Sequence, residues 1–290
     1  MSELPPAFTV LGASGFVGSA LVSALRAQGH AVFAPQRADL AIFETELGHV
    51  IYCIGMTADF RSKPFETVDA HVAVLADVLA RARFDSLLYL SSTRVYANAG
   101  VAHEQASLQV NPNNPSDLYN LTKLTGESLC RSCGKAGVKV ARLSNVIGPD
   151  PDSDNFLSSL IRDAVAGRIE LQSDPDSSKD YILLDDVVAL LPAIAMGGKH
   201  WLYNVASGIA LRHAELVAHL AALTGCEVAV SPGAQRIDFP AIDTARLREE
   251  FDFVPGPVTG HLSRLVELAR QRQASSTLFL ETTHGPHRTI

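Results

Sequence analysis

Short apolar runs alternate along this chain with longer stretches whose apolar residues recur every three or four positions. Ala7 to Leu11 is the first run, compact enough for a buried parallel strand, and Phe16 to Leu25 is the first stretch with helical spacing. His30 to Ala34, after Gly29, reads as a second strand, and Val50 to Gly55 as a third. Phe65 to Arg83 carries Val68, Val72, Val74, Leu75, Val78 and Leu79 at helical spacing, and Ser86 to Thr93 is a strand that stops in hydroxyl residues. The turn-rich segment Asn111 to Asp117 opens a helix at Ser116 or Asp117 that runs to Lys135, and Val138 to Leu143 is a further strand. Strand and helix in alternation predict an α/β fold with a parallel, doubly wound sheet, in which ligands sit at the carboxyl ends of the strands. Gly12, Gly55 and Ser91 to Thr93 all fall at such ends.

Composition narrows the field. A chain of 290 residues accommodates one large α/β domain, or one with a smaller companion. The formal charge of −7, with no run of Lys or Arg, argues against a nucleic-acid surface. No segment reaches the roughly 18 apolar residues of a membrane helix, and Met1 to Pro6 lacks the basic-then-apolar pattern of a secretory signal. A cytoplasmic protein without a membrane partner is expected. Cys53, Cys130, Cys133 and Cys226 are too few for a disulfide framework, and the C-x-x-C of Cys130 and Cys133 has no second ligand pair near it. They read as helix-face residues, and no metal site is expected, His284 and His287 included.

The chemistry concentrates in two places. Gly12-Ala-Ser14-Gly15-Phe16-Val17-Gly18 joins the first strand to the first helix, with G-x-x-G-x-x-G spacing in place of the commoner G-x-G-x-x-G. Glycines there permit a tight turn, a close approach to a pyrophosphate and close packing of helix on strand, with phosphates at the helix N-terminus. The tip of the second strand, Pro35-Gln-Arg37, has no acid for a ribose 2′-OH. NADP(H) is therefore favoured, with Arg37 beside the 2′-phosphate; NAD(H) stays open because Asp39 is within reach of the adenosine. Cys53, Ile54 and Gly55 would pass beneath the cofactor. In the second place, Tyr119 and Lys123 are four apart and share a helix face. A phenol ionises near pH 10, and a neighbouring ammonium together with an oxidised nicotinamide favours its phenolate. Ser92 would hold a substrate oxygen while Tyr119 exchanges its proton.

Five ordered stretches then carry a resemblance: Gly12 to Gly18, Leu90-Ser-Ser-Thr-Arg-Val-Tyr96, Tyr119-Asn-Leu-Thr-Lys123 with Gly126-Glu127, Arg142 to Pro149, and Lys179 to Asp186. To about residue 270 the chain resembles an extended short-chain dehydrogenase/reductase of the NAD-dependent epimerase/dehydratase type. The resemblance implies a Rossmann domain over 1–149 and 179–206, a small discontinuous substrate-binding cap over 150–178 and 207–272, and a tail, 273–290, that is mobile or held by a partner. Phe156 to Gly167 would be a helix of the cap. The chain would return with a helix from Asp180 to Pro192 and a strand at Trp201 to Val205. It would leave again through helices at Leu211 to Thr224, Thr244 to Phe251 and Thr259 to Arg270, with a strand at Glu227 to Val230. The resemblance makes Tyr119 the acid/base, Lys123 its electrostatic partner and a ribose ligand, and Ser92 the hydroxyl that positions substrate. Ser144 and Val146 would lie at the nicotinamide, and Thr93, Arg94, Asn145 and Lys179 at the substrate. Lys179 with Arg94 or Arg61 would meet a diphosphate. The helices 65–83 and 119–135 would pair with their copies in a homodimer.

Departures from the pattern refine this. His71 stands where relatives often carry asparagine, and reads as a polar core residue with a local hydrogen bond, not a helix-distorting or water-relay group. Lys179 replaces an arginine, Leu183 a histidine and Leu11 a threonine. Thr93 and Arg94 replace the Asp-Glu pair of sugar-nucleotide 4,6-dehydratases, which disfavours dehydration. The implied activity is 4-keto reduction or 4-epimerisation of a nucleotide-activated sugar. Reduction of a non-sugar carbonyl compound, and dinucleotide sensing without turnover, are the alternatives.

Overall fold

A computed structural model of the chain describes residues 7–283 apart from 57, 58, 151, 154 and 238, with side chains as far as residue 275. His284, His287 and the end of the tail lie outside the described residues. In chain order the elements are β1 Phe8–Leu11, α1 Phe16–Ala27, β2 Val32–Phe33, β3 His49–Tyr52, α2 Pro64–Val68, α3 Val74–Arg81, β4 Ser86–Ser92, α4 Leu118–Ser132, β5 Val138–Leu143 and β6 Asn145–Ile147. Then follow α5 Phe156–Val165, β7 Arg168–Ser173, β8 Ser178–Leu183, α6 Leu184–Gly197, β9 Leu202–Val205, β10 Ala210–Arg212, α7 His213–Thr224, β11 Glu227–Gln235, α8 Ala245–Phe251 and α9 Val258–Thr283.

Six strands form one parallel sheet in the order β2-β1-β3-β4-β5-β9. Their side chains sort by parity, as a pleated strand requires. Phe8, Val10, Ile51, Leu88, Leu90 and Ala141 pack with Leu21 and Leu25 of α1 and Val187, Leu191 and Ile194 of α6. Leu11, Val50, Tyr52, Leu87, Tyr89, Val138 and Val140 pack on the other face with Leu75, Val78 and Leu79 of α3 and Cys130 of α4. Both faces are buried, which is why these strands are apolar throughout. After β2 the chain crosses back over β1 to place β3, so growth of the sheet reverses between the carboxyl ends of β1 and β3. That is the point at which open α/β sheets bind ligands.

The chain divides into two compact units. One comprises Met1–Val146, Asp180–Ala210 and Phe239–Gly256; the other comprises Ile147–Lys179, Leu211–Asp238 and Pro257–Ile290. Phe239–Gly256 thus groups with the sheet and not with the cap segments, because α8 supplies Leu247 and Phe251, with Phe253 after it, to the α1/α6 face. In the second unit β7 pairs in parallel with β11, a strand longer than its four predicted residues.

Two further differences have local causes. Asp180 to Leu183 belongs to a buried strand, with α6 beginning only at Leu184; a short apolar run has no periodicity with which to distinguish the two. Helix α9 continues to Thr283, past the predicted end at Arg270. Among the described residues no helix is long and apolar enough to cross a membrane, and no group of His, Cys, Asp or Glu is placed to hold a metal ion.

Candidate active site

The glycine turn is built as its spacing demands. Gly12 adopts φ +84°, and a Cβ there would stand 2.8 Å from the Cys53 carbonyl carbon and the Ile54 nitrogen, so the turn lies directly on the end of β3. A Cβ at Gly18 would collide with the Gly12 oxygen; glycine lets α1 close against the turn. Ser14 and Gly15 are exposed, Phe16 and Val17 half-buried. Gly15 caps α1 without a side chain, and no acid occupies the first turn, so the helix N-terminus keeps its free N–H groups and its positive potential. This cradle fits a dinucleotide diphosphate. Beside it, burial pushes the Cys53 thiol up to about 12, leaving a neutral thiol under the site.

At the tip of β2, Arg37 is exposed, whereas Asp39 is already engaged: its carboxylate accepts from the Ala41 N–H at 2.9 Å and caps a short 3-10 turn.

Ser92, Tyr119 and Lys123 converge where β4 ends against α4. The Ser92 hydroxyl accepts from the Arg94 N–H at 3.2 Å and acts on the Tyr119 phenol. The Lys123 ammonium donates to the Leu90 carbonyl at 2.8 Å and lies 6.0 Å from the Tyr119 ring. Burial raises the Tyr119 phenol above its ordinary range, opposed by Ser92 and by the charge of Arg94. Burial also lowers Lys123 to about 7, with Glu127 and Cys53 opposing. Besides the Lys123 ammonium and an oxidised nicotinamide, expected from the sequence to favour the phenolate, Ser92 and Arg94 also act on the phenol.

A parallel sheet of this order with this glycine turn narrows the relatives. The model of the NAD dependent epimerase/dehydratase family matches residues 8–206. The chain belongs to that family. As a family member it is an enzyme of the extended short-chain dehydrogenase/reductase type that takes a nicotinamide dinucleotide. It is similar to RMD from Pseudomonas aeruginosa complexed with NADPH, at 26% identity over 92% of this chain and 99% of that one, TM-score 0.77. It shares the fold of MoeE5 in complex with UDP-glucose and NAD, at 24% identity with the same coverages and TM-score 0.77. It also shares that of a UDP-glucose 4-epimerase from Thermotoga maritima, at 18% identity over 92% and 99% of the chains, TM-score 0.71. No curated protein sequence matches the chain.

Behind the triad this epimerase/dehydratase family member carries a buried polar network. Arg142 donates to Glu127 through Nε at 2.9 Å and Nη2 at 2.6 Å, and Ser91 donates to the same carboxylate at 2.6 Å. Arg142 also donates to the Tyr96 hydroxyl, which donates to Asn204 at 2.8 Å. The fork of arginine and carboxylate is bidentate and dry, which fixes α4 against β4 and β5. Asp180 holds the turn after β9, accepting from the Ser207 and Gly208 N–H groups at 3.0 and 2.7 Å. Asn145 donates to the Asp180 carbonyl at 2.7 Å; Ser144 is buried and Val146 half-buried beside it.

His71 is where local reasoning fell short. It is fully buried in a π-helical turn, Asp69–Ala73, inserted between α2 and α3. Its bonds are not local: Nε2 accepts from the Met56 N–H at 3.1 Å, and Nδ1 lies 2.8 Å from the Thr122 hydroxyl on α4. A backbone N–H can only donate, so Nε2 is the acceptor and Nδ1 carries the proton. Thr122 passes the chain on, donating to the Tyr119 carbonyl at 3.0 Å. The widened turn presents carbonyls sideways: Ala70 and His71 accept from the Tyr52 and Tyr89 hydroxyls at 2.7 and 3.3 Å. The helix is distorted here after all, and His71 ties the loop after β3 to the helix that bears Tyr119. No apolar periodicity signals such a clamp.

The remaining predicted substrate residues separate. Thr93 and Arg94 sit in the 3-10 turn Thr93–Tyr96 beside Tyr119. Lys179 belongs to the second unit, its ammonium 4.4 Å from the Phe156 ring, against which His213 also packs at 4.5 Å. Cys130 is buried on α4, and Cys133 donates its thiol to the Cys130 carbonyl; both are free.

Proposed function

We propose that the enzyme moves a hydride and a proton at one carbinol or ketone carbon of a nucleotide-activated sugar, by 4-keto reduction or 4-epimerisation. The observation that carries this is the meeting of Ser92, Tyr119 and Lys123 at the carboxyl end of β4, with only β3 between it and the strand that leads into the Gly12 turn. Ser92 orients the reacting oxygen and Tyr119 gives or takes its proton. Lys123, which donates to the Leu90 carbonyl, would hold ribose hydroxyls. A bound nicotinamide supplies or accepts the hydride. Asn145 borders the reacting end of the substrate, and Val146 the nicotinamide. The UDP-glucose bound by MoeE5 and by the Thermotoga maritima 4-epimerase supports this class of substrate.

NADP(H) is the favoured cofactor. Asp39 spends its carboxylate on the Ala41 N–H, and Arg37 is left exposed at the same strand tip. A homodimer is proposed through α2, whose Phe65 and Val68 are exposed apolar side chains; a sedimentation measurement that gives monomer at micromolar concentration removes it. Mass identification of any nucleotide released on denaturation, then titration of the stripped protein with NADPH and NADH, tests the cofactor and separates the two reactions. Retained NAD favours the epimerase and discredits Arg37; an empty site that prefers NADPH favours the reductase. Tyr119→Phe should bind the dinucleotide normally while turnover falls roughly 10²- to 10⁴-fold. Unchanged turnover would remove Tyr119 from the chemistry.

A further inference from the structure

Two guanidinium groups crowd one aromatic ring beside Tyr119. Phe60 is buried in the 3-10 turn Asp59–Arg61, its ring 5.4 Å from that of Tyr119. Arg61 lies 4.5 Å from the Phe60 ring, and Arg94 lies 4.8 Å from the same ring and 5.3 Å from the Tyr119 ring. Both lean on one residue: Arg61 Nε donates to the Ser116 hydroxyl at 3.1 Å, and Arg94 donates to the Ser116 carbonyl at 3.3 Å. Among the described residues neither forms an ion pair with a carboxylate. Arg61 is exposed, and a guanidinium offers five N–H donors, of which each of the two gives one to Ser116. Arg94 is half-buried, and burial and then the charge of Arg61 push its pKa down, with Tyr119 and Asp117 opposing. Like charges gathered in a partly dry place are relieved by an anion between them.

We propose that Arg61 and Arg94 receive a carboxylate carried by the substrate on the carbon next to the one that reacts, so that the substrate is a nucleotide-linked hexuronate. The inference rests on the nucleotide-sugar reading with reaction at C4. In a hexopyranose the anomeric carbon, which bears the diphosphate, lies across the ring from C4, whereas the C5 substituent is adjacent to it. A guanidinium stacked on the tyrosine that reacts at C4 is therefore at the wrong end for the diphosphate and at the right end for a C6 carboxylate. A hydroxymethyl group in that place would leave both charges unpaired. The planar forks match a carboxylate geometrically, and two of them straddling it bind it more tightly than either alone.

The full chain, loaded with oxidised dinucleotide, is titrated calorimetrically with UDP-glucuronate against UDP-glucose, and with free glucuronate against free glucose. UDP-glucuronate should bind at least about tenfold more tightly than UDP-glucose, and the ratio should fall to about one in the double variant Arg61→Met/Arg94→Met. Dinucleotide binding by that variant reports that the site is intact. Equal affinities in both pairs, or a preference that survives the double variant, overturn the proposal. If free glucuronate binds as tightly as UDP-glucuronate and loses its advantage over glucose in the double variant, the arginine pair stands and the nucleotide-sugar reading falls.

Discussion

Replacing His71 by asparagine should make the sheet unit less sensitive to acid. In the folded chain burial, reinforced by the nearby Lys123 charge, lowers His71 to about 3, and the Met56 N–H occupies the nitrogen that would be protonated. An unfolded histidine titrates near 6.5. Between those values the unfolded chain binds a proton that the native chain refuses, so stability falls as pH drops below 6.5, down to about 3. By pH 5 the loss due to this one side chain is about 2 kcal/mol, at 1.36 kcal/mol per pH unit. Carboxylates and the other histidines add their own slopes, but these are common to parent and variant. Trp201, the single tryptophan, lies in the same unit as His71, so its fluorescence reports the unfolding of that unit. Urea titrations at pH 8 and pH 5 should show the parent losing about 2 kcal/mol more than His71→Asn. Equal losses would mean that His71 accepts a proton in the native state, and the assigned tautomer and its bond to Met56 would be wrong.

Other perturbations probe the cradle and the network behind the triad. Gly18→Ala places a Cβ against the Gly12 oxygen; overpacking of this kind costs about 1–3 kcal/mol, and dinucleotide affinity measured by fluorescence titration should drop roughly tenfold or more. Unaltered affinity would show that α1 need not close on the turn. Glu127→Ala strands Arg142 in a dry interior, which should cost about 3–5 kcal/mol in urea denaturation followed at Trp201; a loss below about 1 kcal/mol would place water in the network.

Features carried by a few consecutive residues were legible in the sequence. The Gly12 turn, the hydroxyl-ended strand at Ser92 and the shared face of Tyr119 and Lys123 depend on local turn chemistry and helical spacing, and the structure has each of those elements in place. Asp180 to Leu183 was not legible as strand, since one acid followed by three buried apolar positions ahead of an acidic helix start satisfies either pattern. The π turn at His71 was hidden for a different reason. Its stabilising partners, Tyr52, Tyr89, Met56 and Thr122, come from three other segments, so nothing within 69–73 announces it. Arg61 and Arg94 were legible as candidate anion ligands, but not as a pair on one ring, because it is the fold that brings the turns after β3 and β4 together.

That convergence changes how the phenol is expected to work. Desolvation raises Tyr119 and lowers Lys123, so the same dry wall that positions the pair weakens the charge with which lysine would assist. Arg94 keeps its charge at any working pH and lies over the phenol ring, and it is the fixed cation that lowers the Tyr119 pKa. With Tyr119 in its proposed role, oxidation of a carbinol needs the phenolate, and the rate should rise with pH through the pKa of Tyr119. Removing Arg94 removes a downward influence and should move that rise to higher pH. The assay is the pH profile of kcat in the oxidative direction for the parent and Arg94→Met, with saturating substrate so that any loss of binding stays in KM. A lower kcat with an unmoved midpoint would mean that Arg94 orients the substrate only, and that Ser92 alone sets the acidity of the phenol.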